Sequence, residues 1–236
     1  MAKKKIQLPT VLTEQSWFYE AHKEQLEPYL NQPYLSYSSQ ESFLEYTEDF
    51  IKQKFAKIKL PDGVYSGMGQ YVGTAIENGK FNEDNPHGFI GQENLDLDTL
   101  RPEGAEYEKL IIIPREGYFI LGFVDIYSES EKGVKIRDVK SGGKGKCDKY
   151  RGDDYTQVIL YAHSQELMGK KIAETDVYFI RRENSHVRPP LKIGTEQFVI
   201  PLEYNAGRVK FALDKMDKAA QGISDLYTTY KKIFEK

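Results

Sequence analysis

The 236-residue chain has a single cysteine, Cys147. No disulfide can close within it, and neither a C-x-x-C metal pair nor an iron–sulfur ligand set can be drawn. This scarcity suits a reducing cytoplasm. No run of 18 or more apolar residues occurs, so no membrane-spanning helix is expected. The longest apolar stretch is the short "LIIIP" around Ile112. The opening "MAKKKIQLPTVL" is basic but lacks the apolar core of a signal segment. No excess of either charge sign is present. The formal net charge of −3 predicts no affinity for nucleic acid by itself and leaves only a local basic patch as an electrostatic route to one. "SGGKGKC" is not a phosphate-binding G-x-x-x-x-G-K-[ST] loop, because the first glycine is missing and Cys147 stands where a hydroxyl is needed. His22, His87, His163 and His186 are scattered, with no pair at metal-ligand spacing, and read as structural or surface groups. There is no internal repeat and no low-complexity linker.

What is present is a globular composition: 39% hydrophobic, 29% charged, with 17 Tyr and 12 Phe. The length fits one large domain or a domain with a helical annex. Residues 12–57 are expected to be helical in pieces. Ser39 is the expected N-cap of a helix that carries Phe43, Leu44, Phe50, Ile51 and Phe55 on one face. A Gly-rich helix is expected over 66–81, then a long polar loop over 82–106 with one short helix at most. Three strands are expected at about 107–114, 117–127 and 133–141, joined by the turns "PREG" and "SEKG". A helix opening at Asp153 or Asp154 and stopped by Gly169 follows, then two strands, "ETDVYFIRRE" and "EQFVIPLE". Residues 203–234 predict a long amphipathic helix or a helix pair. The fold class is α/β, with a central mixed sheet flanked by helices. The organisation expected is a helical segment 1–65, a core 66–202 and a C-terminal helix 203–236.

The chemistry is concentrated in "GFVDIYSESEKGVKIRDVKSGGKG", residues 122–145. In Asp138-Val139-Lys140 the two charged residues share one face of a strand and Val139 takes the other. Pairing of the hairpin carries Asp125 toward Asp138. Two close carboxylates repel unless a cation sits between them, and an all-oxygen site suits Mg²⁺ or Mn²⁺. Such a site polarises a phosphoryl oxygen and activates water, and Lys140 beside it is placed to orient that water or offset developing charge. The run Lys144, Lys146, Lys149, Arg151 follows as a basic loop placed to contact phosphates. Arg181, Arg182, His186 and Arg188 form a second basic group.

The set "VGTAIE" (72–77), "GFVDIY" with Asp125, "DVKSG" thirteen positions on from Asp125 to Asp138, and "QVILY" with Gln157 and Tyr161 resembles the RecB-like exonuclease branch of the PD-(D/E)XK nucleases. The upstream "YLSYSSQESFLEYTEDFIKQKF" is similar to that branch's opening S-x-S helix. The resemblance covers residues 34–180 or so. It implies a restriction-endonuclease-like core and a metal-dependent DNA nuclease, chiefly an exonuclease in recombination, repair or phage DNA processing. It implies one or two Mg²⁺ or Mn²⁺ ions held by Glu77, Asp125, Asp138 and the Val139 carbonyl. Lys140 would act on the water, and Gln157 and Tyr161 would position Lys140 or the DNA backbone. Glu77 stands where many members carry His, as in phage-type alkaline exonucleases, and the single cysteine excludes the iron–sulfur variant. DNA is the implied substrate. A recombination or replication protein, or a second copy of the chain, is left open as partner, and the bacterial or phage-infected cytoplasm is the implied location. The competing readings are a non-catalytic DNA-binding or structural protein on this fold and a sequence-specific endonuclease.

Overall fold

Ser36, not Ser39, opens the first substantial helix. Its backbone is extended and its side chain accepts the Ser39 N–H at 3.2 Å, so Ser39 lies inside the first turn as a donor. The computed structural model describes residues 6–61, 63–183 and 190–234. In chain order it has α1 (Lys23–Leu26), β1 (Tyr34–Leu35), α2 (Tyr37–Glu45), α3 (Thr47–Lys54), α4 (Val64–Asn78), α5 (Leu97–Leu100), β2 (Glu106–Arg115), β3 (Tyr118–Ser130), β4 (Gly133–Gly142), α6 (Lys146–Arg151), α7 (Gln157–Leu167), β5 (Ile172–Glu183), β6 (Lys192–Pro201) and α8 (Ala206–Phe234).

Several expectations change. The helix through 39–57 breaks at Tyr46, whose non-helical φ −137°, ψ 53° divides α2 from α3. The single apolar face is therefore lost: Phe50 is buried and Leu44 is exposed. The polar stretch 82–106 holds a 3-10 turn, Gln92–Asn94, and α5, which Asp96 caps by accepting from the N–H groups of Asp98 and Thr99. The basic loop 144–151 is largely helical, as α6. The helix expected from Asp153 or Asp154 begins at Gln157, with Thr156 as its N-cap residue. The C-terminal stretch is one helix, not a pair.

The sheet has six strands in the order β1-β3-β4-β5-β6, with β2 also paired to β3. β3 and β4 form an antiparallel hairpin running from Ser130↔Gly133 to Ile126↔Arg137. Gly133 has φ +123°, and a Cβ there would stand 2.5 Å from the Lys171 carbonyl oxygen, so no other residue fits. β4 and β5 are parallel, with Lys140↔Phe179 in register, and α6 and α7 supply the crossover that parallel neighbours require. β5 and β6 are antiparallel, with Phe179↔Phe198 in register.

The chain divides into two compact units. The first gathers the residues up to 61, Leu110–Gly122 and the residues from 210 on. Its core includes Leu12, Leu26, Phe50, Phe119, Met216 and Ile223. In it Asp217 of α8 takes the guanidinium of Arg115 and the Tyr118 hydroxyl, the latter at 2.7 Å. The second unit holds residues 62–109 and 123–209. There α4 packs Met68, Val72 and Ile76 with Ile126, Ile180 and Ile193, and Val139 lies against this cluster. α7 packs on β4 and β5 and buries Val158, Ile159 and Leu160. Among the described residues, no helix is long and apolar enough to cross a membrane.

Candidate active site

Strand alternation places the central groups, all within the second unit. Val139 goes to the α4 side, so Asp138 and Lys140 face the other way. Asp138 is fully buried. Its Oδ2 accepts from the Lys140 ammonium at 2.6 Å and from the Tyr155 hydroxyl at 2.7 Å. Its Oδ1 is also buried, with no hydrogen-bond partner among the described residues. Leaving a buried polar oxygen unsatisfied costs about 1–3 kcal/mol, and charged groups cost more. A fold that carries such an atom needs a reason for it.

One step beyond the pair Ile126↔Arg137, the hairpin register brings Asp125 opposite Asp138. Asp125 Oδ2 accepts the Val139 N–H at 2.6 Å. Burial, then the charge of Asp138, pushes the Asp125 carboxyl up from its ordinary 3.8 to about 8, with Lys140 and the Val139 N–H acting against the rise. Burial alone would lower the Lys140 ammonium, but Asp138 and Asp125 outweigh it and hold Lys140 above the usual lysine range. Lys140 is thus a fixed positive charge rather than a base. Burial first, then the same two carboxylates, also raises the Tyr161 phenol.

These shifts predict a pH dependence for the metal-free protein. Asp125 ionises near 3.8 unfolded but near 8 folded. Its contribution to stability is therefore fully present below about pH 4 and is lost as the pH rises toward 8. Asp125→Asn keeps the acceptor for Val139 and removes the charge. Thermal melts in EDTA should show native stability falling between pH 5 and 8.5, with a flatter profile for Asp125→Asn. At pH 8.5 the variant should melt higher by at least about 2–4 °C. Parallel profiles would mean that Asp125 ionises normally.

Gln157 opens α7 and Tyr161 lies one turn on. Gln157 Nε2 donates to the Tyr161 hydroxyl at 2.7 Å, and the Tyr155 hydroxyl stands 3.0 Å from Gln157 Oε1. The line Tyr161–Gln157–Tyr155–Asp138 is therefore continuous. Tyr155 was not anticipated: it lies in the turn before α7, where no periodicity marks it. Glu77 is exposed at the C-terminal end of α4. Its charge acts on a carboxylate that was not anticipated, Glu108 on β2. Loss of hydration raises the Glu108 carboxyl, then Glu77 and Asp138 raise it further, against Lys140. Glu108 has φ +48°, a rare backbone for a strand residue with a Cβ. No sequence signal sets it apart: in "EYEK" Glu106 and Glu108 alternate about Tyr107, as a solvated strand face does. Among the described residues no three His, Cys, Asp or Glu side chains already stand together at metal-ligand spacing. Asp125 and Asp138 form the close pair, and the two glutamates are the neighbouring acids.

Val139 is a ladder residue opposite Tyr178 of β5, with its N–H committed to Asp125. Lys144, Lys146 and Arg151 are exposed, Lys149 is half-buried, and Arg151 lies 3.6 Å from Asp148. Arg181 pairs with Glu196 on β6, and Arg182 is buried over the Tyr65 ring. His186 and Arg188 lie outside the described residues. His163 faces Glu166 at 3.2 Å, and His87 stacks near Phe89.

No protein-family model matches the chain, and no curated protein matches it. Among solved structures, a candidate exonuclease from Eubacterium rectale aligns over 91% of this chain and 88% of its own, with 15% identity and a TM-score of 0.52. That likeness is one of fold. A second solved structure aligns at 18% identity over 86% of this chain and 87% of its own, with a TM-score of 0.37, too low to carry an argument.

Proposed function

We propose that the chain is a divalent-cation-dependent deoxyribonuclease of the RecB-like PD-(D/E)XK type, acting as an exonuclease in recombination, repair or phage DNA processing. One observation carries this reading. Asp138 is fully buried, one of its oxygens is fixed by Lys140 and Tyr155, the other has no partner among the described residues, and Asp125 stands opposite. An unpartnered buried carboxylate oxygen beside a carboxyl that resists ionisation is a poor core and a good seat for a hard cation. The fold likeness to a candidate exonuclease agrees with it.

Asp125 and Asp138 would hold Mg²⁺ or Mn²⁺, with the Val139 carbonyl beside them and Glu77 and Glu108 completing the shell of one or two ions. The ion supplies Lewis-acid polarisation of the phosphodiester and a lowered pKa for the attacking water. Lys140 would keep its proton, orient that water and offset the negative charge on the phosphoryl oxygens as the water oxygen bonds to phosphorus. The P–O ester bond then breaks; the proton released by the attacking water passes to solvent, and the leaving oxygen takes one up from solvent, so that one water has added across the ester. Tyr155, with Gln157 and Tyr161 behind it, holds the Asp138 carboxylate in place. Lys144, Lys146, Lys149 and Arg151 neutralise phosphates flanking the reacting one. A purely DNA-binding or structural role leaves the cost of this buried charge without a return.

The test is incubation with linear and covalently closed circular DNA in Mg²⁺ or Mn²⁺, with an EDTA control. Digestion of the linear form alone is expected. Cutting of both forms would make the enzyme an endonuclease, and cutting of neither would end the catalytic reading.

A further inference from the structure

The row of side chains that contains Lys140 continues across the sheet. Lys140 pairs in register with Phe179, and Phe179 with Phe198. Register partners share a face, and strands lie about 4.8 Å apart, so Phe198 stands roughly 10 Å from Lys140 on the active-site face. Phe179 is buried, and its ring centroid lies 5.3 Å from that of Phe198, which is half-buried on the last strand of the sheet path. α6 sits tightly over this end of the row: a Cβ at Gly142 would meet Lys146 at 2.9 Å and the Phe179 ring at 3.2 Å. Between α6 and the strands lies a groove of about 340 Å³ whose walls include Lys144, Arg151, Arg181, Phe179 and Phe198. The Arg151 guanidinium lies 5.6 Å from the Phe198 ring centroid.

We infer that this groove is a subsite for an unpaired nucleotide of the DNA strand being cut, with its base stacked on Phe198 and its phosphates taken by Arg151, Lys144 and Arg181. The inference rests on the nuclease reading for its choice of DNA. The groove has the size of a small ligand and cannot seat a duplex, whose bases present no free face to an aromatic ring. Its chemistry is an aromatic platform with cations around it, the combination that binds single strands without reading sequence. Two of the cations have acidic neighbours, Asp148 near Arg151 and Glu196 on Arg181, so a phosphate must compete with carboxylates at those two positions. Arg151 is an exposed long side chain and can leave the ring face for a phosphate when a base arrives. The consequence is a preference for frayed or single-stranded ends, with one nucleotide anchored two strands away from the reacting phosphate.

The experiment is fluorescence anisotropy with an oligothymidylate about 12 nucleotides long, alongside a blunt duplex, in Ca²⁺ in place of Mg²⁺. Phe198→Leu retains apolar packing on Phe179 and removes the aromatic face. It should weaken single-strand binding by about five- to a hundredfold. The salt slope should stay unchanged, because no charge is lost, and duplex affinity should stay within about threefold. Phe198→Trp should restore single-strand affinity, which a merely structural Phe198 would not predict. Native affinity for the strand in Phe198→Leu, equal weakening on both DNAs, absent rescue by Trp, or no strand binding by the native protein overturns the subsite. Cleavage of linear DNA in Mn²⁺, measured beside it, separates the two ideas. Cleavage with unaltered Phe198→Leu binding removes the subsite alone, and selective weakening without any cleavage removes the nuclease reading alone.

Discussion

Asp138→Asn is expected to abolish cleavage, with a loss on the order of a thousandfold or more, and to abolish divalent-cation binding measured by calorimetry. Asparagine has nearly the same shape, so the change is one of charge. The variant loses the anion that Lys140 and Tyr155 both address, and it gains an amide whose NH₂ group must take either the Oδ2 position beside Lys140 and Tyr155 or the Oδ1 position, which has no partner among the described residues. Removing one partner of a buried ion pair typically costs about 3–5 kcal/mol, because the other charge is left behind. Here Asp125 still faces Lys140, so the fold should survive with a lowered melting temperature. A variant that folds, binds Mn²⁺ with native affinity and cleaves DNA would remove Asp138 from the site.

Lys140→Ala should lower the cleavage rate by about a hundred- to a thousandfold while cation binding is retained. The two measurements should part company because Lys140 competes with a cation for Asp138. Without the ammonium, Asp138 loses its competing partner and a divalent ion no longer meets a fixed positive charge beside the two aspartates. Mn²⁺ affinity should therefore hold or tighten as activity falls. Lys140→Arg, which keeps the charge in a wider and flatter head, should recover only part of the rate. Native cleavage by Lys140→Ala would take Lys140 out of the chemistry, and loss of Mn²⁺ binding would make its role structural.

The close carboxylate pair was legible because strand geometry leaves little freedom. The turn at Gly133 sets the register of β3 on β4, and alternation puts Asp138 and Lys140 on one side of Val139. Gln157 and Tyr161 were singled out by the motif resemblance, and their spacing of four on a helix accounts for the contact between them. Tyr155 was not, because it lies in an irregular turn and reaches Asp138 only through the tertiary fold. Glu108 was hidden by its own backbone: φ +48° takes it out of the period-two pattern by which a strand residue is assigned a face. The segment "KGKCDKYRG" read as a basic, phosphate-contacting loop from its lysines and glycines. It folds as α6 because Cys147 and Tyr150, three apart, are buried together on one side. The two units interleave along the chain: breaks fall inside β2, between Lys109 and Leu110, inside β3, between Gly122 and Phe123, and inside α8, between Val209 and Lys210, so no loop marks those breaks.

The most direct measurement is a crystal of the native protein soaked in Mn²⁺, with the ion located by anomalous scattering. The expected result is an ion within about 2.0–2.6 Å of oxygens of both Asp125 and Asp138, including the Asp138 Oδ1 atom that has no partner among the described residues. Fully occupied soaks in which Asp138 stays paired with Lys140 and no ion touches either aspartate would contradict a metal-dependent nuclease at this site.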